Sequence, residues 1–295
     1  MRPWILFTVF CCALRADDRT QQLVASLSHE ADAFRKIAPD LVAQETLFQR
    51  AVKPGKGGLH IRVGSNAQKP PEPVWQERRI LSEYSFAAFA GEGGALHELR
   101  RVTAVDGRTV QDSKKAQEEL IAIVTAPDDR RKKELLERFE KYGLVGAVTD
   151  FGQLLLLFNS HDVMHYEFTY RRLEMQGLAR ILVFGYQQID GPEGLTVINA
   201  ARAGAAPQQM RIGGEVWVRE NNFVPVRITL ATGQDQIREE ASVDYSMSSY
   251  GALLPLWTEH RELREGKVVV ENKFSYADFH KFDAASQINF QSVAK

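Results

Sequence analysis

The sequence predicts an α+β protein built around an antiparallel β-sheet, and three observations support this prediction. In residues 209–282, short runs alternate between apolar and polar side chains, as half-buried strands do. The connections between these runs contain Asn or Gly, which are typical turn residues. Separate segments nearer the N-terminus show apolar residues at helical spacing. Consecutive antiparallel strands of this kind form sandwiches, barrels or half-barrels. The predicted runs are residues 210–219, 224–231, 239–246, 253–264 and 268–276.

Helical spacing predicts three helices before this meander. Apolar residues recur on one face of residues 21–37, and Pro39 ends this first helix. Asp112 or Ser113 can cap a second helix, and a third begins near Thr125. Two helices thus interrupt the strands.

Further strands are predicted upstream of the meander. Residues 41–52 fit a strand or a helix, and the preceding proline favours the strand. The Pro- and Gly-rich residues 53–75 predict a loop. The apolar residues 144–158 fit either a buried helix or a helix followed by a short strand. Alternating patterns predict four more strand regions: residues 78–90, 95–105, 164–172 and 179–189.

The N-terminus has the pattern of a secretory signal peptide. Arg2 precedes an apolar run at residues 4–14, and small and charged residues follow it. Cleavage after about Ala16 would remove both cysteines, Cys11 and Cys12, so no disulfide could stabilise the mature chain. An exported protein without disulfides suits a bacterial envelope, so we expect a periplasmic or secreted location. No later stretch approaches the roughly 20 apolar residues of a transmembrane helix.

Charge and length limit the partners and the domain count. The whole chain has 37 basic and 38 acidic residues, and removal of the leader would make it more acidic. Since no basic stripe with interleaved aromatic residues is present, nucleic acid is not an expected partner. We expect a signal peptide at residues 1–16 and a single domain at residues 17–295, with a helical insertion at about residues 113–158.

Two stretches resemble the LolA and LolB superfamily of periplasmic lipoprotein carriers. Residues 214–228 (GEVWVRENNFVPVRI) are similar to the family's hairpin, in which a Trp-containing strand turns into a strand with a basic residue. Residues 245–255 (YSMSSYGALLP) resemble the family's later strand and Gly-to-Pro step. The resemblance implies a curved antiparallel half-barrel that is closed on one side by helices and holds acyl chains or other apolar ligands. The loop at residues 53–75 and the helix pair at residues 113–142 are larger than in small carriers.

Candidate chemical groups are few. His161 and His165 could share a zinc ion if they lay on a helix, but no Glu follows His161 and Asn159-Ser160 indicates a turn. His260 and His280 have acidic neighbours, although a hydrogen-bonded core or surface histidine fits them better than a catalytic base. There is no Gly-x-Ser-x-Gly elbow or phosphate-binding loop. No catalytic residue, metal or cofactor is therefore assigned.

The first functional hypothesis is an exported, non-enzymatic binding or carrier protein for an apolar ligand such as a lipid acyl chain. We predict Trp217, Phe274 and Tyr276 as the wall of its cavity. The alternative is a scaffold with a filled interior that docks another envelope protein. A metal-dependent hydrolase that uses His161 and His165 is the least favoured hypothesis.

Overall fold

The computed structural model describes residues 6–53, 73–90, 95–144, 151–191, 195–197, 208–234 and 237–282. Side chains are described from Asp18 onwards, so those of the predicted signal peptide lie outside the description. The predicted loop at residues 53–75 also falls mostly outside it. Among the helices described, none is both long and apolar enough to cross a membrane.

Three α-helices confirm the helical predictions. They are α1 (Leu6–Ile37), α2 (Ser113–Val124) and α3 (Asp129–Glu140). The Asp112 carboxylate accepts a hydrogen bond from the backbone N–H of Lys115 and so caps α2. The apolar residues around 154–158, whose structure the sequence left open, form a 3₁₀ turn rather than an α-helix or a strand.

Thirteen strands are described. They are β1 (Leu41–Val52), β2 (Trp75–Ala88), β3 (Leu96–Val105), β4 (Arg108–Thr109), β5 (Tyr166–Gln176), β6 (Ala179–Gln188), β7 (Leu195–Val197), β8 (Gln208–Met210), β9 (Gly213–Arg219), β10 (Pro225–Gln234), β11 (Ile237–Met247), β12 (Leu253–Arg264) and β13 (Lys267–Lys281). The strand prediction for β1 is confirmed. β10 extends through Gln234, three residues beyond the predicted run at residues 224–231, and Gln234 pairs with Ile237 of β11.

Eleven of these strands form one open antiparallel sheet. Their spatial order is β4-β3-β2-β1-β13-β12-β11-β10-β9-β6-β5, and β7 pairs with β8 separately. β1 joins the N-terminal strands to β13, the last strand, while β3 with β4 and β5 form the two ends of the sheet. The prediction of an antiparallel sheet with helices on it is confirmed.

The sheet curves strongly, as two tyrosines show. The hydroxyl of Tyr245 on β11 donates to the carbonyl oxygen of Gly152 at 3.0 Å. A Cβ added to the same glycine would lie 3.1 Å from the hydroxyl of Tyr84 on β2. Four strand spacings separate β2 from β11, or about 19 Å in a flat sheet. Both side chains reach one residue because the sheet bends around it.

Helices cover both faces of the sheet, but in different places. On the concave face, α1 packs by its buried stripe, which includes Leu27 and Phe34. On the convex face, α2 and α3 cover only the β2–β3 end, where Leu120 and Leu135 form a second core. Phe139, near the end of α3, belongs to the concave core instead. α3 therefore passes around the β3 edge of the sheet.

Candidate functional site

One row of cross-strand neighbours lines the concave face. Because alternate residues of a strand point to opposite faces, directly paired residues share a face. The row is mainly apolar and runs through nine strands in the order Phe184, Val216, Ile228, Val243, Thr258, Phe274, Leu47, Ile80 and Val105. We call these residues the inner row. They form a continuous surface on which an extended apolar chain could lie.

Two chain segments lie over this surface. One is α1, whose Phe34 ring meets Phe86 of β2 at 5.1 Å between centroids. The other is residues 151–165, which we call the cover segment. Its Phe158 ring lies edge-on to Tyr186 at 4.9 Å. The Tyr245 hydroxyl accepts the backbone N–H of Leu155 at 2.9 Å, which attaches the cover segment to the sheet.

A buried ionic cluster interrupts the apolar concave face. Nε of Arg100 donates to both carboxylate oxygens of Glu45 at 2.9 Å, and its Nη2 donates to Glu98. Burial raises the pKa of the Glu45 carboxyl, and Arg100 opposes that rise. Burial lowers the pKa of Arg100, but the two carboxylates outweigh burial and hold it well above its usual value. Arg100 therefore stays charged inside the sheet.

Tyrosines surround this cluster. The rings of Tyr84 and Tyr276 lie 4.9 Å apart, and the Arg100 guanidinium lies 5.2 Å from the Tyr84 ring. Burial, followed by the charge of Glu98, raises the pKa of both phenols well above the usual value. The Tyr84 hydroxyl has no hydrogen-bond partner among the described residues. The concave face thus contains a polar centre beside the inner row.

A second buried polar group surrounds His260. Its Nε2 lies 2.7 Å from the Glu239 carboxylate, and the amide of Asn272 lies 3.1 Å from its Nδ1. The Phe151 ring of the cover segment stacks on the imidazole at 4.5 Å. His260 is thus the hydrogen-bonded core histidine that the sequence favours over a catalytic base.

The two histidines of the hydrolase hypothesis lie on the cover segment. His161 is exposed, and His165 is half-buried at the end of a 3₁₀ turn. The ring of His165 packs closely against Gly191. In the part of the chain that the structure describes, no three His, Cys, Asp or Glu side chains are grouped so that they could hold a metal ion.

The structure brings together two of the three predicted wall residues. Phe274 and Tyr276 lie on the concave face with ring centroids 6.4 Å apart, and both are buried. Trp217 lies on the convex face, because Val216 and Val218 on either side of it fill the core. Its ring lies between the guanidinium groups of Arg172 and Arg227, at 5.8 and 5.9 Å. Trp217 therefore cannot share a cavity wall with the other two.

Sequence reasoning missed the ionic cluster. A signal was present in β1, where Ala43, Glu45 and Leu47 share the inward face. A carboxylate on the otherwise apolar, inward face of a strand indicates that a cation is buried beside it. That partner, Arg100, lies 55 residues away and so could not be matched from spacing alone.

The fold and this interior define a class of protein: an α+β protein with an open, curved antiparallel sheet and helices over it. No protein-family model matches the chain, and no curated protein gives a significant match. A LolA superfamily protein from Nitrosomonas europaea has a similar structure with 12% identity, covering 90% of this chain and 96% of that chain, at a TM-score of 0.36. A DUF1329 family protein from Desulfovibrio piger has 9% identity, covering 90% and 96%, also at 0.36.

The low identities and TM-scores of these two structures describe a distant likeness. The residues of this chain alone therefore carry its functional interpretation.

Proposed function

We propose that this chain is an exported, non-enzymatic binding or carrier protein of the bacterial envelope that holds an apolar ligand, such as a lipid acyl chain, against its concave face. The inner row is the observation that carries the proposal. It presents mainly apolar side chains across nine paired strands, and separate chain segments cover it in place of a second sheet. We keep Phe274 and Tyr276 as proposed wall residues because they lie on the concave face, and we leave out Trp217 because it lies on the convex face.

The cover segment is the part that would move to admit a ligand. It contains only short 3₁₀ turns, at Leu154–Phe158 and Val163–His165, and no strand of the sheet. Its backbone is attached to the sheet at Tyr245 by two hydrogen bonds. Segments held by few backbone bonds open at lower free energy than paired strands do. An acyl chain could replace the aromatic side chains that now fill the concave face.

Two measurements test the proposal. The protein is purified from its native host and extracted, and mass spectrometry of the extract is expected to show lipid in stoichiometric amount. The delipidated protein is then titrated with a fluorescent acyl probe, and saturable binding is expected. Phe274→Ala should weaken probe binding, whereas Trp217→Ala, on the opposite face, should not. Empty protein that takes up no acyl probe would exclude a carrier.

A protein-interaction scaffold is the second candidate, and the filled interior favours it. Phe34, Tyr84, Phe86 and Phe158 are all fully buried, so the concave face is packed in this conformation. The β5–β6 hairpin also exposes Leu173, Met175 and Leu178, the last completely. A scaffold would bind another envelope protein through such an apolar tip. Loss of a co-purifying protein after Leu178→Ser, without loss of acyl-probe binding, would favour this function.

A further inference from the structure

A cavity of about 220 Å³ lies where α3 passes around the β3 edge of the sheet. β3, the residues after β4, and α3 with the turn that follows it supply its walls. The side chains that matter for binding are Arg100, Arg101, Gln111, Arg138, Phe139 and Tyr142. Pockets for whole drug-sized ligands measure about 300–1,000 Å³, so this cavity fits a head group and a few methylenes.

The lining is cationic. Three arginines contribute to it, and no aspartate or glutamate does. Arg100 is held by Glu45 and Glu98, and Arg101 pairs with Glu119 at 2.5 Å. Arg138 is exposed and makes no ion pair with any residue that the structure describes, so its charge is available to a ligand. Arginine is well suited to carboxylate and phosphate oxygens, because its planar group can donate two parallel hydrogen bonds.

The cavity borders the concave core. Two of its walls, Val102 and Phe139, belong to the same core cluster as Phe274 and Tyr276. The Arg100 guanidinium lies 5.1 Å from the Phe139 ring and 5.4 Å from the Phe274 ring. A ligand with its charged end beside Arg138 could therefore extend its apolar end past Phe139 toward the inner row.

We propose that this cavity binds the anionic oxygen head group of an amphiphilic ligand, a carboxylate or a phosphate, with Arg138 as the contacting cation and Arg101 and Gln111 beside it. The inference rests on the proposed function, since the alkyl chain of the same ligand would lie on the concave face. It adds the chemical class of the ligand, because a neutral or cationic amphiphile lacks the oxygens that these donors recognise.

The test compares four ligands with one chain length. The purified full chain is titrated calorimetrically with decanoate, decyl phosphate, decanol and decyltrimethylammonium, each below its micellar concentration. Decanoate and decyl phosphate are expected to bind at least about tenfold more tightly than the other two, because only the anions make a charge-assisted hydrogen bond with Arg138. Comparison of the two anions then distinguishes a carboxylate site from a phosphate site.

Arg138→Gln supplies the decisive variant. It should weaken binding of both anions about tenfold and leave decanol binding unchanged. Arg130→Gln on the same helix is the matched control, because Arg130 is exposed and does not line the cavity. Equal affinities for all four amphiphiles, or no effect of Arg138→Gln, would overturn the head-group site and leave the carrier function standing. Absence of binding by every amphiphile would overturn both.

Discussion

Arg100 and Glu45 form a buried ion pair on the concave face of the sheet, in which Nε of Arg100 lies 2.9 Å from each carboxylate oxygen of Glu45. The two residues come from β3 and β1, and Tyr84 of the intervening β2 lies beside Arg100. Charges are costly to bury unless they are paired and hydrogen-bonded. The pair therefore fixes the relative position of three strands at one end of the concave face.

Removal of Arg100 should destabilise the fold strongly. Arg100→Met leaves Glu45 and Glu98 buried without their cation, and breaking a buried pair in this way costs about 3–5 kcal/mol. Urea unfolding measures the loss. The matched control is Arg180→Met, which breaks a solvent-exposed pair with Glu220 and should change stability little.

A triple variant separates pairing from packing. Arg100→Met combined with Glu45→Leu and Glu98→Leu removes every charge of the cluster, so most of the lost stability should return. If Arg100→Met alone costs no more than Arg180→Met, the cluster is solvated in solution and the buried pair is not formed.

Removal of the hydroxyl group should change stability in opposite directions at two tyrosines. Tyr84→Phe removes a buried hydroxyl that lacks a partner among the described residues, so stability should rise by about 1 kcal/mol. Tyr245→Phe removes a hydroxyl that bonds both Leu155 and Gly152, so stability should fall by about 1–2 kcal/mol. Chemical denaturation of both variants checks the signs. A loss on Tyr84→Phe would mean that its hydroxyl has a partner in solution, such as a water molecule.

The sequence predicted the sheet well because its strands are half-buried and so show their period of two. The sequence predicted less well on which face of the sheet each side chain lies. Alternation divides β9 into two sets of residues but does not say which set faces the core, and the size of Trp217 misdirected the prediction. Val216 and Val218, which bracket it, were the better indicators, since two smaller apolar residues fill the inward face. The cluster of Arg100 and Glu45 required knowledge of strand order, which local patterns do not contain.

The carboxyl of Glu83 should make stability depend on pH. Burial raises its pKa above the ordinary value of a glutamate, although a hydrogen bond from Ser113 and the charge of His280 oppose this rise. A raised pKa in the folded state means that folding favours the protonated form, so the native state binds more protons than the unfolded state. The stability that Glu83 contributes is therefore present below the ordinary pKa of a glutamate and is lost as pH rises through the raised pKa of the folded state.

Glu83→Gln provides the comparison for this pH dependence. The variant should match the wild-type protein at low pH and become relatively more stable as pH increases from about 4 toward neutrality. Urea unfolding across that range gives the difference in unfolding free energy. A difference that is flat with pH, or that has the opposite slope, would show that burial does not dominate the environment of Glu83.

Gly152 should control how tightly the cover segment closes. A Cβ at this position would lie 2.7 Å from Oε1 of Glu98 and 3.1 Å from the Tyr84 hydroxyl, so an alanine cannot fit without movement. Arg100 holds Glu98 in place, and Tyr84 is fully buried, so the cover segment is the part free to shift outward. Gly152→Ala should therefore cost about 1–3 kcal/mol, as overpacking does, and weaken the hydrogen bonds at Tyr245.

Opening of the cover segment gives this substitution a second, functional readout. Amide hydrogens of residues 151–158 should exchange faster in Gly152→Ala, while those of the paired strands stay protected. If ligand entry requires the open form, the variant should also bind an acyl probe more tightly, because a larger fraction of it is competent to bind. Gln153→Ala, at the next position, is the control and should change neither exchange nor binding. Faster exchange without tighter probe binding would show that the cover segment moves but does not gate the concave face.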